Sequence, residues 1–167
     1  MARVVAIGAI VVLFVVAPVF AQQPTGTSGT SASVHLMISP GDATWGPAPD
    51  SLPAGAEVAV LQGDPSSAGY FTIRVKMPDG YRVAPHTHPT DEQITVLQGT
   101  FSMGLGDRLD EAAAKPLGVG GFATMPQGTR HYAIARGETI VQVQGMGPFQ
   151  FIYVNPSDDP RNKKDQR

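Results

Sequence analysis

The chain has four histidines and no cysteine. Three of the histidines are spaced in a way that could do chemistry. In His86-Thr87-His88 the two imidazoles repeat every second residue, so on a strand they share one face. Pro89-Thr90-Asp91 then permits a turn, and Glu92 opens the next strand-like run, from which its carboxylate can swing back toward them. His131 lies in a later strand-like run. Two or three neutral imidazoles with one carboxylate suit Zn, Fe, Mn, Ni or Cu, none of which needs a thiolate. The lack of cysteine excludes thiolate zinc sites, iron–sulfur clusters, disulfide scaffolds and cysteine nucleophiles. No Ser-His-Asp arrangement and no phosphate-cradling glycine loop is recognisable, and no separate acid or base accompanies the histidines, so no catalytic residue is assigned. Gly118–Gly121 has no helix after it and reads as a turn. His35 has no second donor near it in sequence and reads as a strand or surface residue. Asp91 reads as a turn residue, although a one-residue slip would put it in the place of Glu92.

The elements that must position these side chains read as strands. Phe71, Ile73, Val75 and Met77 alternate with Thr72, Arg74 and Lys76, and Pro78-Asp79-Gly80 ends the run. Further strands are expected at Tyr81–His88, Glu92–Gln98, Thr100–Leu105, Phe122–Met125, His131–Ala135, Thr139–Gln144 and Phe149–Val154, with earlier ones at Val34–Ile38 and Val58–Leu61. Asp110–Lys115 alone looks helical, for a turn or two. Trp45-Gly46-Pro47-Ala48-Pro49 is too rich in proline for a central strand and is expected to be a loop laying Trp45 over a barrel end. Met103, Met125, Phe149, Phe151 and Tyr153 are candidate core, with the Tyr153 hydroxyl a candidate pocket group. Gln142 and Gln144 share one strand face, which either lines the cavity or meets solvent. Many short strands joined by turns imply an all-β sandwich or barrel.

Around the histidines the sequence resembles a cupin. The first cupin motif, G-x5-H-x-H-x3,4-E-x6-G, is matched at every fixed position by Gly80, His86, His88, Glu92 and Gly99. The second, G-x5-P-x-G-x2-H-x3-N, is matched by Gly120, Pro126, Gly128 and His131, with Ala135 where the motif has Asn. The resemblance implies a single-domain, double-stranded β-helix (jelly-roll) barrel. It also implies one divalent transition metal held by His86, His88, Glu92 and His131, with coordination left over for water, substrate or dioxygen. Cupins include dioxygenases, isomerases, decarboxylases, epimerases, sensors and storage proteins that keep the barrel without using a metal. Small members often pair through sheet edges, so a homodimer is the implied partner.

The composition of the two ends frames this domain. Eighteen of the first 21 residues are apolar, Arg3 supplies a minimal positive start, and Val19-Phe20-Ala21 offers a small-residue cleavage site. Residues 1–21 therefore read as a secretory signal, too short in apolar length for a span, which places the mature chain in the periplasm or outside the cell without a stable membrane anchor. Residues 22–33 read as a flexible polar tether, 34–154 as the barrel and 155–167 as a charged solvated tail. The net charge is −2 and no basic stripe exists, which argues against nucleic-acid binding. The expected activity is that of a metal-dependent enzyme, dioxygenase-like or an isomerase, on a small organic molecule. The alternative is a non-enzymatic cupin that binds or senses a metal or small ligand.

Overall fold

The computed structural model describes residues 35–163. The expected signal and the whole of the expected tether lie outside these residues. Nine strands form among the described residues: β1 (Gly46–Pro47), β2 (Glu57–Gln62), β3 (Gly69–Met77), β4 (Arg82–Thr87), β5 (Glu92–Leu105), β6 (Lys115–Leu117), β7 (Phe122–Met125), β8 (His131–Gly147) and β9 (Ile152–Tyr153). The protein is an all-β jelly roll built by curling one continuous antiparallel sheet.

Two long strands make the curl. Each runs through a pair of segments that the sequence reads as separate strands. β5, of 14 residues, joins Glu92–Gln98 to Thr100–Leu105, and β8, of 17 residues, joins His131–Ala135 to Thr139–Gln144. Near its C-terminal end β8 pairs with β3, from Gly69↔Gly147 to Met77↔Thr139. Near its N-terminal end it pairs with β4, through Arg82↔Ile134, Val83↔Ala133 and His86↔His131. β5 follows β8 along both halves, with register shifts on either side of Gln98. β5 also carries β7 on its first half and β6 on its second. The sheet bends where Gly99 sits at φ +72°, and a Cβ there would lie 2.5 Å from the Glu138 carbonyl oxygen. Only glycine meets both conditions cheaply. The buried Thr139 hydroxyl closes the bend by donating toward the Thr100 carbonyl at 3.2 Å.

The core lies inside the curl. Phe71, Ile73, Val75 and Met77 face Val83, Phe101 and Met103 across it, all at most 8% exposed. The expected alternation along β3 holds, although Thr72 on the other face is buried as well. The second half of the sheet is covered on its outer face too. Tyr132 and Ile134 are each 1% exposed there, because the chain after β5 folds back over them. The Tyr132 hydroxyl donates to the Asp110 carbonyl at 2.8 Å, and Glu111 receives both Arg82 and Arg136.

Several expected elements differ. His35–Ile38 forms no strand; Leu36 and Met37 are exposed, and Pro40 begins a 3-10 turn just after them. Asp110–Lys115 is a single turn in which the Asp110 carboxylate accepts from the Ala112 and Ala113 amides. Lys115 is already committed to β6, so the turn cannot grow into a helix. Phe149–Val154 is extended only at Ile152–Tyr153, because Pro148–Phe151 leaves the ladder. Gly46–Pro47 adds an edge strand to β2, while the Trp45 ring sits 4.8 Å from the Lys76 ammonium. The tail docks at its start: Arg161 pairs with Asp159 and donates to the Phe151 carbonyl at 3.0 Å.

The Tyr132 ring lies against Gly104, where a Cβ would fall 2.1 Å from ring atoms. Gly104→Ala is therefore expected to cost about 3 kcal/mol through overpacking, read as a lower urea midpoint with an unchanged slope.

Candidate metal centre

Three strands and one turn bring the expected site residues together. His86 lies one residue before the end of β4, His88 follows the strand, Glu92 opens β5 and His131 opens β8. The His86↔His131 pairing fixes two of the imidazoles side by side, with ring centroids 4.3 Å apart. All four side chains are buried, at 3%, 3%, 6% and 2% exposure for His86, His88, Glu92 and His131. One nitrogen from each histidine lies within 4.8 Å of the others.

Each imidazole is oriented by a backbone carbonyl. Nδ1 of His86 lies 2.8 Å from the Ala84 oxygen, Nδ1 of His88 lies 2.7 Å from the Gln150 oxygen, and Nδ1 of His131 lies 2.9 Å from the Thr129 oxygen. A carbonyl can only accept, so each Nδ1 carries the proton and each Nε2 presents a lone pair. The Glu92 carboxylate completes the group, with Oε2 at 3.3 Å from His131 Nε2 and 3.6 Å from His88 Nε2.

The electrostatics favour neutral His86 and His88. Burial, followed by the neighbouring His131 and His88, pushes the His86 imidazole down to about 2. Burial also lowers His88, although Glu92 and the Gln150 carbonyl oppose it. For His131 burial again pulls down, but once the ring is protonated it can donate to the Glu92 carboxylate and is attracted by its charge, and with the Thr129 carbonyl this outweighs burial, so its pKa ends above the usual histidine value.

The donor set fits a transition-metal ion. Among the described residues, His88 Nε2 and Glu92 Oε2 are buried without a hydrogen-bond partner. Such atoms cost about 1–3 kcal/mol each when nothing satisfies them, and a cation between them would use both lone pairs. Three imidazoles and a carboxylate match the preferences of Zn, Fe, Mn, Ni and Cu. Beside the cluster lies a cavity of ≈ 50 Å³, whose lining besides His86, Glu92 and His131 is apolar, including Val75, Val83, Phe101, Met103 and Val143.

The sequence-matched family model, described as the ChrR cupin-like domain, covers residues 33–150. The chain belongs to the cupins. No curated protein sequence matches it. Solved structures share the fold at low identity. The polyketide cyclase RemF from Streptomyces resistomycificus superposes with a TM-score of 0.64 at 17% identity, covering 79% of this chain and 94% of that one. A candidate acetylacetone dioxygenase from Methylibium petroleiphilum gives 0.56 at 19% identity, covering 77% and 88%. An RmlC-like cupin from Shewanella frigidimarina gives 0.52 at 15% identity, covering 68% and 91%.

The remaining candidates of this cupin fall outside the cluster. His35 and Asp91 are exposed, and Asp91 accepts from the Gln127 amide as a turn residue. Gln144 faces away from the cavity and donates to the Tyr70 hydroxyl, while Val141 and Val143 of the same strand line the cavity. The Tyr153 hydroxyl is also turned away, donating to the Ser51 carbonyl at 2.7 Å. Ala135, in the place of the motif Asn, is fully buried. Its amide and carbonyl bond Tyr81 and Gly80, so the backbone at Ala135 is paired without the motif Asn. Sequence reasoning missed the ring packing around the ligands: Phe149 stacks on His88 at 4.2 Å, and Phe151 lies 4.9 Å from His86. The aromatic alternation signalled core without saying what it would cover.

Because folded His86 and His88 resist protonation, the unfolded chain binds more protons below the usual histidine value of about 6.5. The metal-free protein should therefore lose stability as pH falls from 7 to 5, by on the order of 1 kcal/mol per pH unit from His86, with His88 acting in the same direction. His131 acts oppositely; its contribution grows as pH falls toward about 6.5 and is nearly complete below that, so it offsets the loss only in the upper part of the range. Urea midpoints across this range check it, and His86→Gln should flatten the slope.

Proposed function

We propose that the chain is an exported, metal-dependent cupin enzyme acting on a small, largely apolar organic molecule, with oxidation by dioxygen as the favoured reaction class. The observation that carries this reading is the convergence of three carbonyl-oriented Nε2 atoms and one carboxylate at a cavity that is otherwise apolar. His86, His88, Glu92 and His131 would hold one divalent transition ion. When bound, that ion would supply a Lewis acid and, if redox-active, a place for dioxygen.

The chain's own residues have three tasks. The Ala84, Gln150 and Thr129 carbonyls hold the imidazoles in one tautomer and one orientation. Glu92 contributes a negative charge that offsets part of the ion's charge. The apolar walls exclude water and offer an organic substrate dispersion contacts in place of hydrogen bonds. The fold is shared with a polyketide cyclase and a candidate acetylacetone dioxygenase, which supports a small organic substrate. The apolar run in residues 1–21 supports placement in the periplasm or outside the cell.

A second reading, a non-enzymatic metal or small-ligand binder or sensor, draws on one observation. Among the residues lining the cavity, no titratable side chain stands beside the donor set. An enzyme of this kind must do all its proton handling at the ligands, at metal-bound water or on the substrate itself.

Elemental analysis of chain secreted by its own leader, compared with a His86→Ala/His131→Ala variant, tests the metal. About one ion per chain is expected in the wild type and none in the variant. Removing the ion should lower stability by about 3 kcal/mol when it was present at a hundredfold excess over its Kd. Oxygen uptake with small diketones, phenols and thiols then separates the readings. Turnover supports the oxygenase, a zinc-only protein redirects the search to hydrolysis or isomerisation, and an ion that binds without turnover supports the binder. A chain that takes no metal even after reconstitution overturns the enzyme.

A further inference from the structure

One described residue is common to the linings of the histidine cavity and of a groove on the surface. Leu52 lines that cavity and also lines a surface groove of ≈ 590 Å³, walled by Pro49, Pro53, Ala54, Asp158 and Pro160 among others. No other described residue lines both. Leu52 itself is 9% exposed.

The loop that carries Leu52 is held in an unusual way. Its neck is closed by the Ala48 amide donating to the Ala56 carbonyl at 3.2 Å, and a turn inside it is closed by the Leu52 amide donating to Pro49 at 2.9 Å. The carbonyls on either side of Leu52 are each taken by a buried tyrosine from the barrel. The Tyr153 hydroxyl donates to Ser51 at 2.7 Å, and the Tyr81 hydroxyl donates to Pro53. Two anchors that flank one residue fix where its side chain points. Both hydroxyl bonds hold the loop and neither is a rung of the sheet, so either can break without breaking the ladder.

We propose that Leu52 is the gate that decides which molecules reach the histidine cavity, with the groove beside it as the way in. The proposal rests on reading the cavity as the reaction chamber. A cavity of ≈ 50 Å³ is well below the roughly 150 Å³ that admits benzene. With Leu52 in place, the cavity has room for only a few heavy atoms. An organic molecule reaches the donors when Leu52 swings out, and the two tyrosine hydroxyls set how often that happens. Leu52 is thus a specificity-determining residue, with size as the property it selects.

The methionines provide the test. Met77 and Met103 line the cavity and are 2% and 7% exposed, while Met37 and Met146 are 93% and 53% exposed and serve as references. Hydrogen peroxide transfers one oxygen atom to a methionine sulfur and leaves as water, which mass spectrometry reads at each residue. The experiment uses the full chain stripped of metal by chelator, so its outcome is independent of whether a metal binds. Leu52→Ala should speed oxidation of Met77 and Met103 by about tenfold. Tyr153→Phe, which removes only a hydroxyl anchor, should speed it by about fivefold. Leu52→Phe should slow it. Ile94→Ala enlarges the same cavity from a sheet strand, which controls for lost packing, and should change it less than about twofold. Met37 and Met146 should react alike in every variant. Equal acceleration by Leu52→Ala and Ile94→Ala, or no acceleration by either Leu52→Ala or Tyr153→Phe, would overturn the gate.

Discussion

The pairing of β5 with β8 is the constraint on which the rest of the molecule depends. These two strands stay hydrogen-bonded from Glu92↔Gly145 to Leu105↔His131, and both change direction near Gly99. A flat ladder of this length would expose both faces. The bend instead turns one half of the sheet over the other and buries an apolar face against itself, which is the dominant favourable term in folding. It also places Glu92 at the start of one long strand and His131 at the start of the other. β4 lies beside β8 and delivers His86 and His88 to the same place. The position of the donor cluster is thus a consequence of how the sheet closes.

Burying this cluster is expensive, and the surroundings show how the cost is contained. Three imidazoles and a carboxylate lie at most 6% exposed. Each histidine gives one proton to a backbone carbonyl, which satisfies half of every ring and leaves the other half facing inward. Burial keeps His86 and His88 neutral, which is also what a metal requires of its ligands. The irregular segment after β8 joins in, since Gln150 orients His88 while Phe149 stacks against its ring. A regular strand could not turn a carbonyl and an aromatic ring toward one imidazole in this way, which gives the break at Pro148–Phe151 a structural use.

The same economy appears on the outside of the barrel. Tyr132 is buried on the outer face because the Gly106–Ala114 segment is drawn over it, and Glu111 is gripped by Arg82 and Arg136 on the strands beneath. These ion pairs are exposed, so each contributes little to stability. Their role is to hold a loop in register over an apolar ring.

Much of the candidate site was legible in the chain itself. The spacing of His86, Thr87 and His88 implied a shared face by strand geometry alone, and the motif positions from Gly80 to Gly99 implied the fold. Such local patterns depend on backbone periodicity, which needs no tertiary information. The sequence also carried the strand alternation of Phe71–Met77 and the turn at Gly118–Gly121. What it could not carry were the relations between segments distant in the chain. Whether Thr100–Leu105 and Glu92–Gln98 are two strands or one depends on a partner that runs past both, and β8 is that partner. Whether Gln142 and Gln144 or their neighbours face the cavity depends on which side the curl encloses. Asp110–Lys115 has helical propensity, yet Lys115 is claimed by β6, because sheet pairing is worth more than a short helix that must bear its own nucleation cost. That Leu52 in a proline-rich loop would stand beside the histidines, between two tyrosines far apart in sequence, was decided only when the barrel closed.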